Sequence, residues 1–554
     1  MSDMKTDVQP EQNSSLFIKV VILCVLAFLL FGVIFNYSIN WMSAEVAGRD
    51  LPSAIKNGTD FQLIDLLRGF DYMGFDVHPR ARAVSYVCQL LTIKFRLWLF
   101  DYIPVHPSLA LSDIFSYCFS PLLLFLFVRE YTSCRKAAIY AVLLYVTSVG
   151  LLSNTLMLNH PGKPLSNFFT IFCLFLGSRI VRPLRFYGHL GVREKSLYAL
   201  LLLVMFIAFN TDETTYFLFV AIPLIFFRDV FEISFDEPVK LSFRSIWSQI
   251  RNLSMSTFAI KKSGHLIVYL YPLSLVSFLV FVTFIVPVIT RSMGWGDFDY
   301  WGFVGFTADR YHYSPYPLIT KLLHFFFNMY NLTVSHVVPH FDGVFIQQTT
   351  ARREWISIRY LAVAGILTIL LFYASHPFKY LAKQGREKLI HIAVTLFFFC
   401  IFHTALHTRY ADIPAHGAYY YGANFSIYFS IALAILLSVE KGWLSWSNKI
   451  LLVVLLVTFS FNSIALNEQW MKGNPRVYRQ YYDEQMVDMN DDKRLSLSLA
   501  KRVWDNRHDK ETLEQMKVGF PSIAYHLFVE FEHMNSPMNI KEGWRSFKVE
   551  PNDR

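Results

Sequence analysis

Long apolar runs separated by short polar stretches dominate the chain. They lie at about 16–36, 108–128, 137–156, 165–181, 196–210, 214–227, 265–290, 358–375, 389–407, 419–439 and 449–466. A membrane helix needs roughly 17–25 mostly apolar residues, and most of the runs reach or approach that length. The runs at 196–210 and 214–227 are short and joined by almost nothing. The pattern predicts an all-α polytopic membrane protein with about eleven transmembrane helices. The first run follows a polar leader carrying Lys5 and Lys19, and no small-residue cleavage site follows it, so it reads as a retained helix. The segment 321–332 is too short to span and is expected in the membrane interface.

Composition agrees. Of 554 residues, 54% are hydrophobic and only 17% charged, against roughly 25% charged in an average soluble domain. Disordered, collagen-like and disulfide-stapled classes are excluded. The six cysteines form no CxxC pair, so neither a zinc site nor a disulfide framework is indicated.

Loop charge sets the expected orientation. The stretches 129–136, 178–195, 228–262 and 375–388 carry 3, 5, 6 and 4 Lys or Arg residues. The alternating loops are nearly bare: 156–163 holds only Lys163, 211–214 none, and 408–417 only Arg409. The N-terminus is therefore expected in the cytoplasm and the C-terminus outside. The membrane is expected to be the inner (cell) membrane of a bacterium, which the charges themselves do not specify. Residues 1–466 form the membrane module, and 467–554, with 14 basic and 15 acidic residues, an extracytoplasmic C-terminal domain. The net charge of +9 is accounted for by orientation and contact with membrane lipids, which excludes nucleic acid as the partner.

Polar chemistry collects on the expected outer side. The first outer loop, 38–106, holds two amphipathic stretches, 61–75 and 83–103. The second carries Lys94, Arg96 and Asp101 and is expected to lie along the interface. Between them, Asp71, Asp76, His78, Arg80 and Arg82 crowd a turn broken by Gly74 and Pro79. A carboxylate there is placed to take a proton from an acceptor hydroxyl, and the arginines to neutralise phosphate. A second acidic turn, Asp212 and Glu213, joins the two short runs; intramembrane acids usually mark a site or face water. The alternative for Asp212 is an exposed turn in which it caps the next helix. The third cluster holds Asn159, His160 and Lys163. Lys163, alone against the charge rule, is a candidate phosphate contact or a surface anchor.

The large outer loop, 291–357, is rich in aromatic residues, and its Asp297, Asp299, Asp309, His312, His336, His340 and Asp342 match no compact metal motif. His403 and His407 stand four apart, but HTALH lacks the glutamate of HExxH. Arg409 and His416 add outward-facing cations. No metal and no cofactor is therefore assigned. No GxxxxGK[ST], GxGxxG or GxSxG string supports a nucleotide-driven pump or serine hydrolase.

This layout resembles the GT-C type of membrane glycosyltransferase. The resemblance lies in a cytoplasmic N-terminus and one helix, then a long outer loop with interfacial helices around an acidic turn (Asp71, Asp76). A later acidic outer turn (Asp212, Glu213), a large aromatic outer loop and an outer C-terminal domain complete it. It implies transfer of a sugar from a polyprenyl-phosphate-linked donor to a glycan, lipid or protein acceptor, with Asp76 or Asp71 as the catalytic acid of the first loop. Asn159 and His160 stand where some members have an acid. His78, Arg80, Arg82, His160, Lys163 and Arg409 are then the expected substrate contacts. A polymerase or ligase of lipid-linked glycans would share this topology. A transporter or flippase of a lipid-linked or anionic substrate would favour internal repeats and mid-helix charges.

Overall fold

The structure, a computed structural model, describes residues 115–151, 162–187, 191–233, 258–260, 264–285, 376–407 and 423–473, with isolated positions including 84–85, 87–88, 91, 325 and 332–333. A π-helical turn, Phe115–Phe119, leads into α1 (Ser120–Thr132). There follow α2 (Arg135–Val146), α3 (Gly162–Tyr187), α4 (Val192–Phe209), a 3-10 turn (Glu213–Phe217) and α5 (Leu218–Val230). A short antiparallel ladder pairs Phe231–Ile233 with Phe258–Ile260. Then come α6 (Gly264–Val280), α7 (Lys383–His407), α8 (Phe425–Leu437) and α9 (Trp443–Gly473).

Among the described residues, three helices are long and apolar enough to cross a membrane: Gly162–Pro183, Gln384–Thr404 and Trp443–Asn462. They coincide with the runs at 165–181, 389–407 and 449–466. The apolar helices Thr214–Phe227, Tyr271–Val280 and Phe425–Leu437 are shorter. The runs at 16–36 and 358–375, the loops 38–106 and 291–357 beyond isolated positions, and the chain past Gly473 apart from Glu511 lie outside the described residues.

Burial ranks these helices. In α3, 72% of the apolar window is covered by protein, against 33% in α9. So α3 is central, packed by α1, α4 and α5. On α9, Ile450, Val453, Val454 and Val457 form an exposed row at helical spacing, with Trp443 and Trp446 exposed at its start. An apolar stripe ending in tryptophans suits hydrocarbon meeting a membrane interface. On α7, Ile390, Val394, Phe397, Phe398 and Ile401 form a similar stripe.

Charged residues expected in loops ride instead on helix ends. Arg129 and Glu130 belong to α1, and α3 runs on through Arg179 and Arg182. Only Ser133 and Cys134 separate α1 from α2. Ser133 takes the left-handed conformation at φ 56°, which ends the first helix. The Cys134 Sγ accepts from the Ala137 backbone N–H and so caps the second.

Two close approaches lock the bundle. A methyl group on Gly177 would meet the Phe226 ring at 2.5 Å, and one on Gly150 would meet Ser426 Oγ at 2.0 Å and the Ala423 carbonyl at 2.6 Å. Glycine therefore lets α3 approach α5, and lets the chain following α2 approach the start of α8. Rings fill the space between: Phe217 contacts Phe399, Phe402 and Tyr428 at centroid distances of 5.2–5.9 Å.

Polar contacts respect the alternation of loops. At one end Lys136 pairs with Glu440, Arg179 and Arg182 pair with Glu130, and Lys441 lies over Tyr380. At the other end Lys163 meets Asp212, Ser166 meets Asn424, and Ser85 meets Thr211. The first group comes from the Lys/Arg-rich stretches and their neighbours, the second from the charge-poor loops and from the start of the 83–103 segment.

Candidate functional site

The second end of the bundle holds a buried ion pair. Lys163 lies in the first turn of α3, just after Gly162, and Pro164 is tolerated there because the first-turn N–H groups have no intrahelical partner. A cation at a helix N-terminus opposes the helix dipole, and both Lys163 and Asp212 are only 1% exposed. The conflict is resolved by Asp212, whose Oδ1 accepts from Lys163 Nζ at 2.7 Å. Lys163 is thus a buried internal partner and not a surface anchor. Asp212 does cap the following turn, as one sequence reading expects, but from a buried position. Its Oδ1 also accepts from the Thr214 backbone N–H at 3.0 Å and from Thr214 Oγ1 at 2.7 Å.

Hydroxyl and amide groups extend the network. Ser166, one turn beyond Lys163, donates to the Lys163 carbonyl at 2.8 Å and lies 3.3 Å from Asn424 Oδ1 and 3.4 Å from Thr214 Oγ1. Thr215 Oγ1 closes the turn on the carbonyls of Ala208 and Asp212. Asn167 donates to the Gly150 carbonyl, and the Gly150 N–H donates to Ser426 Oγ. Five segments thus meet: the residues after α2, the start of α3, the α4–α5 turn, the start of α8 and the first-loop helix.

Val84 and Ser85, helical residues of the first loop, are bonded to this end of the bundle. Val84 N–H donates to the Asn210 carbonyl at 2.9 Å, and buried Ser85 donates to the Thr211 carbonyl at 2.6 Å. Gly162 makes room: a methyl group there would meet Ser85 Oγ at 3.1 Å, the Thr211 carbonyl at 3.2 Å and Asp212 Oδ2 at 3.3 Å. Val84 follows Arg82 by two residues in the sequence. Arg82 therefore stands two positions in the sequence before a residue bonded to the Asn210–Thr211 backbone beside Asp212.

Of the expected site residues, the structure brings Lys163 and Asp212 together. Glu213 opens the 3-10 turn beside them. Asp71, Asp76, His78, Arg80, Arg82, His160 and Arg409 lie outside the described residues. His403 is buried on α7 and tilts over Phe399 of its own helix, with ring centroids 6.1 Å apart. Among the described residues, no group of three His, Cys, Asp or Glu side chains is placed to hold a metal ion.

Ser85, Thr214, Ser166, Asn424 and Asn167 were not singled out from sequence. Thr214 had a signal, being two residues beyond Asp212 in a TDETT string. Ser166 stands at i+3 from Lys163, a spacing that puts both on one helix face. Asn424 and Ser85 sit in apolar or aromatic runs and carried no charge to mark them. No protein-family model matches the chain and no curated protein matches it, so a functional reading rests on this site and the charge pattern around it.

Proposed function

We propose that the chain is an integral membrane glycosyltransferase that moves a sugar from a polyprenyl-phosphate-linked donor to a glycan, lipid or protein acceptor at the outer membrane face. In this reading it has about eleven spans, a cytoplasmic N-terminus and an outer C-terminal domain, and resides in a bacterial inner membrane. The observation that carries the proposal is the anchoring of Val84 and Ser85 on the Asn210–Thr211 backbone beside the buried Lys163–Asp212 pair. It supports one site built from the two acidic clusters, because the chain that bears Asp76, Arg80 and Arg82 enters the helix held there.

Asp212 Oδ1 already accepts three hydrogen bonds, and in this reading the Asp212 carboxylate holds the turn while a first-loop acid serves the acceptor hydroxyl. Asp212 and Lys163 fix the outer ends of α3, α4 and α5 at one spacing, the preorganisation a transfer site needs. Asp76, or Asp71, takes the acceptor's proton as its oxygen attacks the sugar carbon. The bond from that carbon to the donor phosphate breaks, and Arg80 and Arg82 neutralise the departing phosphate. The donor arrives activated on lipid, so no nucleotide site and no cofactor is required.

Deletion of the gene tests the reading. A polyprenyl-phosphate-linked sugar should accumulate, and its consumption should return with wild-type protein but not with an Asp76→Asn, Asp71→Asn double variant. Unchanged lipid-linked sugars after deletion would overturn the proposal. Accumulation confined to the cytoplasmic leaflet would favour a flippase.

A further inference from the structure

A second feature lies away from the ion pair. Lys195, Tyr198, Ala199, Leu202 and Met205 run along one face of α4 and line a groove of about 730 Å3 against Leu273, Ser277 and Phe278 of α6. It falls in the size range of small-molecule and lipid pockets and opens sideways, where Leu203, Leu273 and Val276 are exposed. One end is charged: Lys195 is exposed on the first turn of α4. The other end is blind. Phe209 packs on Phe219 at 4.5 Å and on Phe278 at 5.0 Å between centroids. About 21 Å of helix separates Lys195 from Phe209 at 1.5 Å per residue.

Tyr198 adds an independent sign. It is only 4% exposed and lines the groove, yet its hydroxyl has no hydrogen-bond partner among the described residues. A buried hydroxyl in apolar surroundings normally finds a partner, and a ligand with an acceptor oxygen near the headgroup end would supply one.

We propose that this groove is a binding site for an anionic phospholipid of the leaflet on the Lys195 side. Its phosphate pairs with Lys195, a glycerol-ester oxygen accepts from Tyr198, and one acyl chain lies along Leu202 and Met205 as far as Phe209. Two arguments select this occupant. Lys195 belongs to the basic stretch 178–195, which the charge pattern puts on the cytoplasmic side, where anionic lipids attract juxtamembrane cations. A donor phosphate would need to sit at the opposite end of α4, beside Asp212, where the Phe209, Phe219 and Phe278 rings close the groove. The groove and its Lys195 end do not depend on the glycosyltransferase reading, whereas the choice of phospholipid over the donor lipid rests on it.

Full-length protein is purified and exchanged into nanodiscs that mix phosphatidylglycerol and phosphatidylcholine with identical acyl chains. Bound lipid is counted by native mass spectrometry. Wild type should retain phosphatidylglycerol preferentially. Lys195→Ala should weaken that retention about fivefold, and Ala199→Trp, which fills the groove from a lipid-facing position, should abolish it. Equal retention of the two lipids, or unchanged phosphatidylglycerol binding in both variants, would overturn the site. Displacement of phosphatidylglycerol by an equal concentration of polyprenyl phosphate, lost in Ala199→Trp, would assign the groove to the isoprenoid lipid and also overturn the proposal.

Discussion

Lys163 Nζ and Asp212 Oδ1 lie 2.7 Å apart although 49 residues separate them, and both side chains are buried. A buried pair of this kind is costly to break from one side, because the remaining charge loses its partner in a poorly polar surrounding. Lys163→Met and Asp212→Asn should therefore each reduce thermal stability in detergent, the lysine change by about 3–5 kcal/mol. Combining Lys163→Met with Asp212→Leu should recover most of that stability. A double variant whose loss equals the sum of the losses in Lys163→Met and Asp212→Leu alone would mean that the pair contributes no coupling.

The glycine contact at the same end gives a steric test. Gly150→Ala should lower the yield of folded protein, because its methyl group would meet Ser426 Oγ at 2.0 Å and the Ala423 carbonyl at 2.6 Å. Overpacking of this sort typically costs about 1–3 kcal/mol, occasionally more. Removing the serine hydroxyl in a Gly150→Ala, Ser426→Ala variant should rescue only partly, since the Ala423 backbone cannot withdraw. Complete rescue would show that the hydroxyl alone sets the spacing.

At the far end, Lys136 Nζ and Glu440 Oε1 lie 2.5 Å apart. The hydrogen bond from Lys136, and then its charge, hold the Glu440 carboxyl below its ordinary 4.5. A carboxyl lowered in the folded state contributes stability above its unfolded value and loses it as pH falls through the folded value. The difference in stability between wild type and Glu440→Gln should thus be present at neutral pH and be lost in acid, as pH falls through the lowered value of the folded protein. The carboxylate is fully exposed, so the difference should also shrink at high salt. A difference that persists unchanged in acid would remove the charge from its explanation.

The hydrophobic pattern located the spans that the structure describes, but it misjudged where helices end. Arg129, Glu130, Arg179 and Arg182 look like loop residues because charge was taken to mark water. In the bundle they stay helical and pair across it, as Glu130 does with both arginines. Lys163 and Asp212 were each legible as charges out of place, the one against the orientation rule and the other at the tip of two short runs. Their union was not legible, since no local spacing links positions in different hairpins. Ser166, Asn424 and Ser85 were invisible for another reason. Small polar side chains inside apolar runs look the same whether they bond to their own helix or to a neighbour.

Sidedness, expected from the loop charges, is tested at the same contacts. Cysteines introduced as Lys136→Cys and Glu440→Cys should cross-link, and a membrane-impermeant thiol reagent should reach either one only from the cytoplasmic face. A C-terminal reporter placed after Arg554 should be active only outside. Labelling of Glu440→Cys from outside intact cells would invert the orientation and move the Asp212 turn to the cytoplasmic end.

The proposed base is the most demanding expectation. Arg68 precedes Asp71 by three residues, a spacing that allows the two to pair on one helix face. Asp76 stands two residues past Gly74, closer in sequence to Val84 and Ser85, which are bound to the Asn210–Thr211 backbone. A carboxylate acting as general base contributes about 10²–10⁴-fold in rate. Asp76→Asn should therefore reduce glycan transfer by that factor at normal membrane levels, while Asp71→Asn should mainly reduce yield. Asp212→Asn should do both, because it unpairs Lys163 and loosens the turn that holds Ser85. Rescue separates the roles: Asp212→Asn combined with Lys163→Met should regain yield, whereas no change at Lys163 should restore Asp76→Asn. Full activity in Asp76→Asn with loss only in Asp71→Asn would exchange their roles. Full activity in both would move the base to the turn of Asp212 and Glu213 beside Lys163.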